Sequence, residues 1–286
     1  MTKDVAQPKA KIEVEFFTAI FMIDYHVHTS LCNHATGSMD QYVKSAINAG
    51  LSEICFLDHL TLNKKGSHLS MEPGYVSFYY QSARHLAHVY KDHIRVKVGL
   101  EVDFDPKNAN RVKEIITPYA FDVIGGSVHF IRNINIVSTK DTQARENEDI
   151  DVICSRYLDA LHAMIDANGI DIICHLDLFK KFGRRPSAQF DKKFDEILSK
   201  IRYNNLTVEL NTSGYTHQAN ESYPNAALLK KCRDRDIPVT IGSDAHHPQS
   251  IGQHYDKAID LLITTGYRHV SAFTRRMRYE IPLHRN

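Results

Sequence analysis

The chain has 286 residues, 35 Lys+Arg against 34 Asp+Glu for a formal net charge of +1, and 43% hydrophobic residues. This is the composition of a soluble globular protein; it excludes collagenous, low-complexity and disordered classes, and it lacks the broad basic face of a nucleic-acid binder. Its 17 histidines outnumber its 13 glycines, although glycine ranks among the commonest residues of globular chains.

The N-terminal residues 1–14 read as a loosely attached extension. The longest apolar stretch, 16–23, contains Thr18 and falls far short of the roughly 20 residues that cross a bilayer. Glu13 and Glu15 precede it, and Asp24, Tyr25 and His26 follow where a signal peptide would carry a small-residue cleavage site. The expected setting is cytoplasmic, with no membrane partner. From there short apolar runs of strand length alternate with amphipathic segments of helical period. Strands are expected at 19–24, 53–57, 94–100, 122–125, 170–174, 206–210 and 237–241, with an eighth candidate at 269–273. Helices are expected at 39–49, 75–91, 108–116, 150–167, 189–203, 225–235 and 254–265. Ser38 is placed as an N-cap, and Gly50, Gly169 and Gly266 stand just past helix ends. The polar segment 133–148 reads as a loop. Seven or eight such units without a break in composition predict one closed α/β barrel spanning the chain as a single domain. The five cysteines form no CxxC pair, so a disulfide framework or a zinc ribbon is not expected.

A barrel of this kind carries its chemistry at the C-terminal ends of its strands, and ligand-type residues follow nearly every apolar run. The first is followed by Asp24-Tyr25-His26-Val27-His28-Thr29, the second by Asp58-His59, the third by Glu101, the fourth by Ser127-Val128-His129. The last three end in Cys174-His175-Leu176-Asp177, Glu209-Leu210-Asn211 and Gly242-Ser243-Asp244-Ala245-His246. Residues i and i+2 of an extended chain point to the same side, so His26 with His28, and Asp244 with His246, can each aim two ligand atoms into one cavity. Counting His34 from the first loop, the candidate ligands are His26, His28, His34, His59, Glu101, His129, His175, Asp244 and His246. Seven imidazoles, two carboxylates and no thiolate suit zinc, iron or manganese, and nine ligands are enough for two or three ions. Adjacent ions bridged by hydroxide supply a nucleophile for phosphoester hydrolysis.

These residues resemble the PHP family, the polymerase and histidinol phosphatase superfamily of metal-dependent phosphoesterases. The resemblance rests on His26-Val27-His28-Thr29 with His34, on Asp58-His59, on Glu101 with Ser127-Val128-His129, and on Gly242-Ser243-Asp244-Ala245-His246. The stretches Asp24-Tyr25-His26-Val27-His28-Thr29, Val98-Gly99-Leu100-Glu101-Val102-Asp103 and Glu209-Leu210-Asn211-Thr212-Ser213-Gly214 are most similar to the monofunctional histidinol-phosphatase branch. The resemblance implies a distorted seven-stranded (β/α) barrel. It also implies one ion on His26, His28, Glu101 and Asp244, a second on Glu101, His129 and His175, and a third on His34, His59 and His246. The implied reaction is hydrolysis of L-histidinol phosphate by a metal-bridging hydroxide, with Glu101 and Asp244 as catalytic residues. Nucleotides or other small phosphate esters are the alternative substrates. Arg184, in the loop after the His175 strand, is the expected phosphate-binding cation, with Arg132 as a rival. Tyr215 and Glu221 are candidates for the amine and imidazole of the leaving group, and Asp24, Asp58 and Asp177 are candidate acceptors for ligand N–H groups. His217, His247 and His254 read as solvated.

Overall fold

A computed structural model describes residues 22–132 and 134–283. In chain order its strands are β1 (Met22–Val27), β2 (Leu51–Leu60), β3 (Arg95–Asp103), β4 (Val123–Ser127), β5 (Phe130–Ile131), β6 (Ile134–Asn135), β7 (Ile172–Ile173), β8 (Thr207–Asn211), β9 (Val239–Gly242), β10 (His269–Thr274) and β11 (Met277–Pro282). The helices are α1 (Met39–Asn48), α2 (Val76–Val89), α3 (Ala109–Ile116), α4 (Thr142–Glu146), α5 (Ile150–Ala167), α6 (Asp191–Tyr203), α7 (Ala226–Asp234) and α8 (Tyr255–Thr265).

Seven strands pair in the order β1-β2-β3-β4-β7-β8-β9, all parallel. The sheet curls back on itself: Val27, ending β1, bridges Ala245 beyond β9 in parallel. The result is the expected distorted seven-stranded (β/α) barrel, nearly closed. Helices cover the outer face, so the central strands are buried on both sides; β4, β8 and β9 have no exposed residue. That double burial is why they read in sequence as short, largely apolar runs without the alternation of a half-exposed strand. Gly125 in β4 lets the barrel wall close up: a Cβ there would stand 2.6 Å from the Cys174 Sγ.

Helix ends follow the expected signals. Ser38 caps α1 in a reciprocal capping box with Gln41, and Gly266 ends α8 with φ +102°. Two expectations need correction. The segment 133–148 is not a plain loop: β6 pairs back on β5, and α4 follows a short 3-10 turn. Its polar side chains serve its own backbone, as where the Asn135 N–H donates to Asp141 Oδ2 (2.8 Å) and Ser138 Oγ accepts from Lys140 N–H (3.1 Å). The eighth strand candidate forms β10, which stays outside the barrel and pairs antiparallel with β11. This hairpin covers the N-terminal ends of the strands, where Glu53 holds Arg95 (2.7 Å) and the Tyr279 hydroxyl (2.6 Å). The opposite end of the barrel is left open. The 1–14 extension and residues 19–21 of the first expected strand lie outside the described residues.

Candidate metal centre

All nine expected ligands meet at that open end. β1 carries His26 and His28, β2 carries His59 and β3 carries Glu101; His129, His175, Asp244 and His246 follow β4, β7 and β9 directly, and His34 comes from the loop after β1. Parallel register places His59 beside Glu101 on the neighbouring strand. Glu101 is the centre of the cluster, and its two oxygens face different sets of rings. Oε1 lies 2.7 Å from His175 Nε2 and 3.6 Å from His129 Nε2. Oε2 lies 2.7 Å from His59 Nδ1, 3.4 Å from His26 Nε2 and 3.8 Å from His28 Nε2. Asp244 Oδ1 closes the group at 3.0 Å from His28 Nε2 and 3.9 Å from His26 Nε2. Toward the mouth, His246 Nε2 and His34 Nε2 face each other at 2.9 Å. The floor is buried, with Glu101 1% exposed, whereas His34 is exposed at the rim.

The donor set fits metal ions. Ligand atoms of one tetrahedral ion with bonds of about 2.0–2.1 Å stand roughly 3.3 Å apart, and the separations above bracket that value. His26 Nε2 and Glu101 Oε2 are buried polar atoms with no well-formed hydrogen bond among the described residues, a costly state unless something else engages them. The far sides of the rings are held by the protein. His26 Nδ1 meets Glu209 Oε1 (2.6 Å), His28 Nδ1 meets Asp58 Oδ1 (3.4 Å), and His34 and His246 direct Nδ1 to the carbonyls of Cys32 (2.8 Å) and Asp244 (2.9 Å). This is how ligating imidazoles are oriented, one nitrogen fixed and the other free to bind. Two members sit in left-handed backbone, His175 at φ 29° and Asp244 at φ 56°, conformations costly for residues with a Cβ and concentrated at functional sites.

Electrostatics agree. Burial alone would raise the Glu101 carboxyl, but His59, His26 and His129 hold it well below the usual carboxylate range. Asp244 behaves alike, burial opposed by the charges of His26 and His28. At the rim the His34 ring is packed among His28, His59 and His246, and the desolvation of its packed side, followed by the charge of His59, pushes it down to about 4.

Of the candidate N–H acceptors Asp58 alone meets a ligand ring, while Asp24 accepts the backbone N–H of His26 (3.3 Å). Asp24 accepts from Ser243 N–H (2.9 Å) and Gly252 N–H (3.2 Å), tying β1 to the segment after β9. Asp177 pairs with the buried Lys180 (2.7 Å). Glu209 takes the role on His26 instead.

The cluster floors a cavity of about 540 Å³ whose walls include Phe130, Asn135, Val137, Leu178, Lys181, Thr216, His217 and Gln253. Arg184 is not among them. Its guanidinium points away, donating to the carbonyls of Arg145 (2.7 Å) and Glu148 (2.9 Å), so the cation facing the cavity is Lys181, three residues earlier. Arg132 is exposed and also outside the lining. Glu221 is held by Lys180 and Arg185, each at 2.9 Å, and Tyr215 packs against His254. His217 does line the cavity, its Nδ1 3.1 Å from the Tyr223 hydroxyl. The signal for Lys181 was present in the run Lys180-Lys181-Phe182-Gly183-Arg184-Arg185, but four cations in six residues do not reveal which one the turn aims inward.

Fold and site together define a (β/α)-barrel protein with a candidate polynuclear metal centre at the C-terminal ends of its strands. The chain belongs to the PHP domain family, whose model matches residues 24–213. It is 29% identical over 259 residues to a probable histidinol-phosphatase of Deinococcus radiodurans, covering 90% of this chain and 98% of that one. A histidinol-phosphatase of Lactococcus lactis is 24% identical, covering 88% and 94% of the two chains. The crystal structure of the Lactococcus lactis histidinol phosphate phosphatase, complexed with zinc, L-histidinol and phosphate, shares the fold with a TM-score of 0.78 over 90% of this chain and 98% of that one. Among the described residues no helix is long and apolar enough to cross a membrane.

Proposed function

We propose that this chain is a metal-dependent phosphomonoesterase that hydrolyses L-histidinol phosphate to L-histidinol and phosphate, a cytoplasmic step of histidine biosynthesis. The observation that carries the reading is Glu101, one carboxylate set between two groups of imidazoles, in a chain similar along its length to histidinol-phosphatases.

His26, His28, Glu101 and Asp244 would hold one divalent ion, Glu101 with His129 and His175 a second, and His34, His59 and His246 a third. Bound there, zinc, iron or manganese supplies Lewis acidity toward the phosphoryl oxygens and activates water at neutral pH. The residues of the chain do the rest. Glu209, Asp58 and the carbonyls of Cys32 and Asp244 fix the ring tautomers, keeping the inward nitrogens unprotonated. Lys181 places an ammonium on the wall, with no hydrogen-bond partner among the described residues, where it orients a dianionic phosphate. His217 lines the same wall with its Nδ1 3.1 Å from the Tyr223 hydroxyl; in the tautomer in which that hydroxyl donates, the ring keeps its proton on Nε2 for the phosphate. Phe130, Val137 and Leu178 keep water from the leaving-group end.

One observation favours a second reading, in which nucleotides or other small phosphate esters are substrates. Among the described lining residues the only carboxylates are Glu101 and Asp244, both inside the histidine cluster, so a cationic leaving group meets neutral groups such as Asn135 and Gln253. Phosphate release by metal-loaded protein from L-histidinol phosphate beside a panel of mononucleotides and sugar phosphates decides between them. A preference for histidinol phosphate below about tenfold, or roughly 1.4 kcal/mol of discrimination, favours the second.

A further inference from the structure

Lys181 lies in a turn that two parts of the protein grip from opposite sides. On the barrel side, the buried Lys180 directs its ammonium to Asp177 Oδ2 (2.7 Å), Glu221 Oε1 (2.9 Å) and the Ser222 carbonyl (2.9 Å). Arg185 reaches Glu221 (2.9 Å) and the Ala219 carbonyl (3.1 Å), and the Ala219 N–H donates back to the Lys181 carbonyl (3.1 Å).

The other side is the segment 134–148, a roof that brings Asn135 and Val137 to the cavity wall. Arg184 Nη1 and Nη2 donate to the carbonyls of Arg145 (2.7 Å) and Glu148 (2.9 Å). One planar fork thus satisfies a carbonyl in the last turn of α4, where the helix itself offers no partner, and a second two residues beyond the helix. Arg145 completes the grip from the roof. It is 4% exposed, lies over the Phe182 ring at 3.5 Å, and donates to the Ser138 carbonyl (2.8 Å) and Thr142 Oγ1 (3.1 Å). Phe182 and Arg184 therefore hold the roof from positions one and three residues beyond Lys181. Neither arginine is among the residues that line the cavity.

We propose that Arg184 and Arg145 are positioning residues: they clamp the 134–148 roof onto the Lys181 turn, which holds the Lys181 ammonium over the metal centre and keeps Asn135 and Val137 in the cavity wall. The proposal rests on the reading of Lys181 as the phosphate-binding cation. It predicts that Arg184 acts on phosphate only through Lys181.

The test is a double-mutant cycle on the full, metal-loaded chain with inorganic phosphate as the probe, binding read by calorimetry and amide exchange followed over 134–148. K181A and R184A should each weaken phosphate binding, by about tenfold for a charged group removed from its hydrogen bonds, and R184A should also speed exchange across 134–148. R184K, which keeps one donor to the carbonyls, should fall between wild type and R184A on both readouts. In the K181A background, adding R184A should cost less than about twofold, because contacting groups that act as a unit are not additive. Independent, multiplied losses would mean that Arg184 touches phosphate itself and would overturn the proposal, as would unchanged exchange in R184A. Unchanged phosphate affinity in K181A overturns the reading of Lys181 separately. Should R184A not fold, F182A, which removes the stack under Arg145 and the looser contact of the Lys181 ammonium with the same ring (5.9 Å), must show the same faster exchange across 134–148 or the clamp is wrong.

Discussion

Glu209 lies beneath His26 with its Oε1 2.6 Å from the ring Nδ1, while its Oε2 accepts the His175 backbone N–H at 2.8 Å. One buried carboxylate on β8, a strand that contributes no metal ligand, thus sets two members of the cluster. Burial would lower the His26 pKa, but Glu209 and then Glu101 hold it well above the usual histidine value, so without metal the ring binds a proton that an ion on Nε2 would displace, while the contact with Glu209 keeps the Nδ1 proton in place. Glu209→Gln preserves volume and removes the charge. Zinc affinity, measured by chelator competition, should fall about 10- to 100-fold, the range for lost partners of ligating histidines. Undiminished affinity would mean that His26 needs no such support.

Glu101 is the residue whose loss the centre should tolerate least, because both its oxygens are within reach of imidazoles. Glu101→Ala should lower metal content, measured by elemental analysis after purification without added metal, and abolish phosphate release with it. Full metal content together with full activity in this variant would remove Glu101 from the centre.

Much of this was legible in the sequence. The barrel followed from period: β4, β8 and β9 are buried on both faces, so their short runs carry no exposed polar alternation and what polar residues they hold, such as Glu209 and Thr240, are buried, while α1 and α6 show one buried stripe. The ligand positions followed from the rule that barrel chemistry sits just past each strand. What escaped was whatever depends on direction within a turn. The partners of His34 and His246 are backbone carbonyls, to which no residue type can point. Arg184 and Lys181 are three residues apart and carry the same charge, and only the path of the chain around Gly183 sends one to the roof and the other to the cavity. The small sheet and helix of the 134–148 roof have almost no apolar period, being held by side-chain bonds to their own backbone.

Across the cavity from that turn, Gly66 meets Phe130. A Cβ at Gly66 would stand 2.5 Å from Phe130 Cζ and 2.7 Å from Thr61 Cγ2, and all three residues line the cavity. Gly66→Val must push the Phe130 ring, at an overpacking cost of about 1–3 kcal/mol if the wall resists. KM for the phosphate ester should rise several-fold while bound metal is unchanged, because no ligand touches this contact. If KM is unaffected and only thermal stability falls, Phe130 is not part of the substrate wall.

His217 connects the cavity wall to acid stability. Burial first, and then the neighbouring Lys181 ammonium, push its pKa down to about 4, with Asp244 opposing. In the unfolded chain the ring titrates near its ordinary value of about 6.5. Between those values the unfolded state binds a proton that the folded state refuses, so folding stability is present in full above about 6.5 and is lost as pH falls through about 4. His34 is also pushed down to about 4, and His129 and His246 well below the ordinary value, burial being the first cause in each, so the wild-type decline contains several rings. Comparison with His217→Asn isolates one of them. In metal-free protein unfolded with urea at a series of pH values, wild type should lose stability progressively from pH 6.5 to 4. The Asn variant should lose measurably less over the same window, with the two curves running parallel above pH 7. Parallel curves across the whole range would mean that His217 reaches solvent and takes up its proton in the folded state, which would also undercut its role as a neutral Nε2–H donor to phosphate.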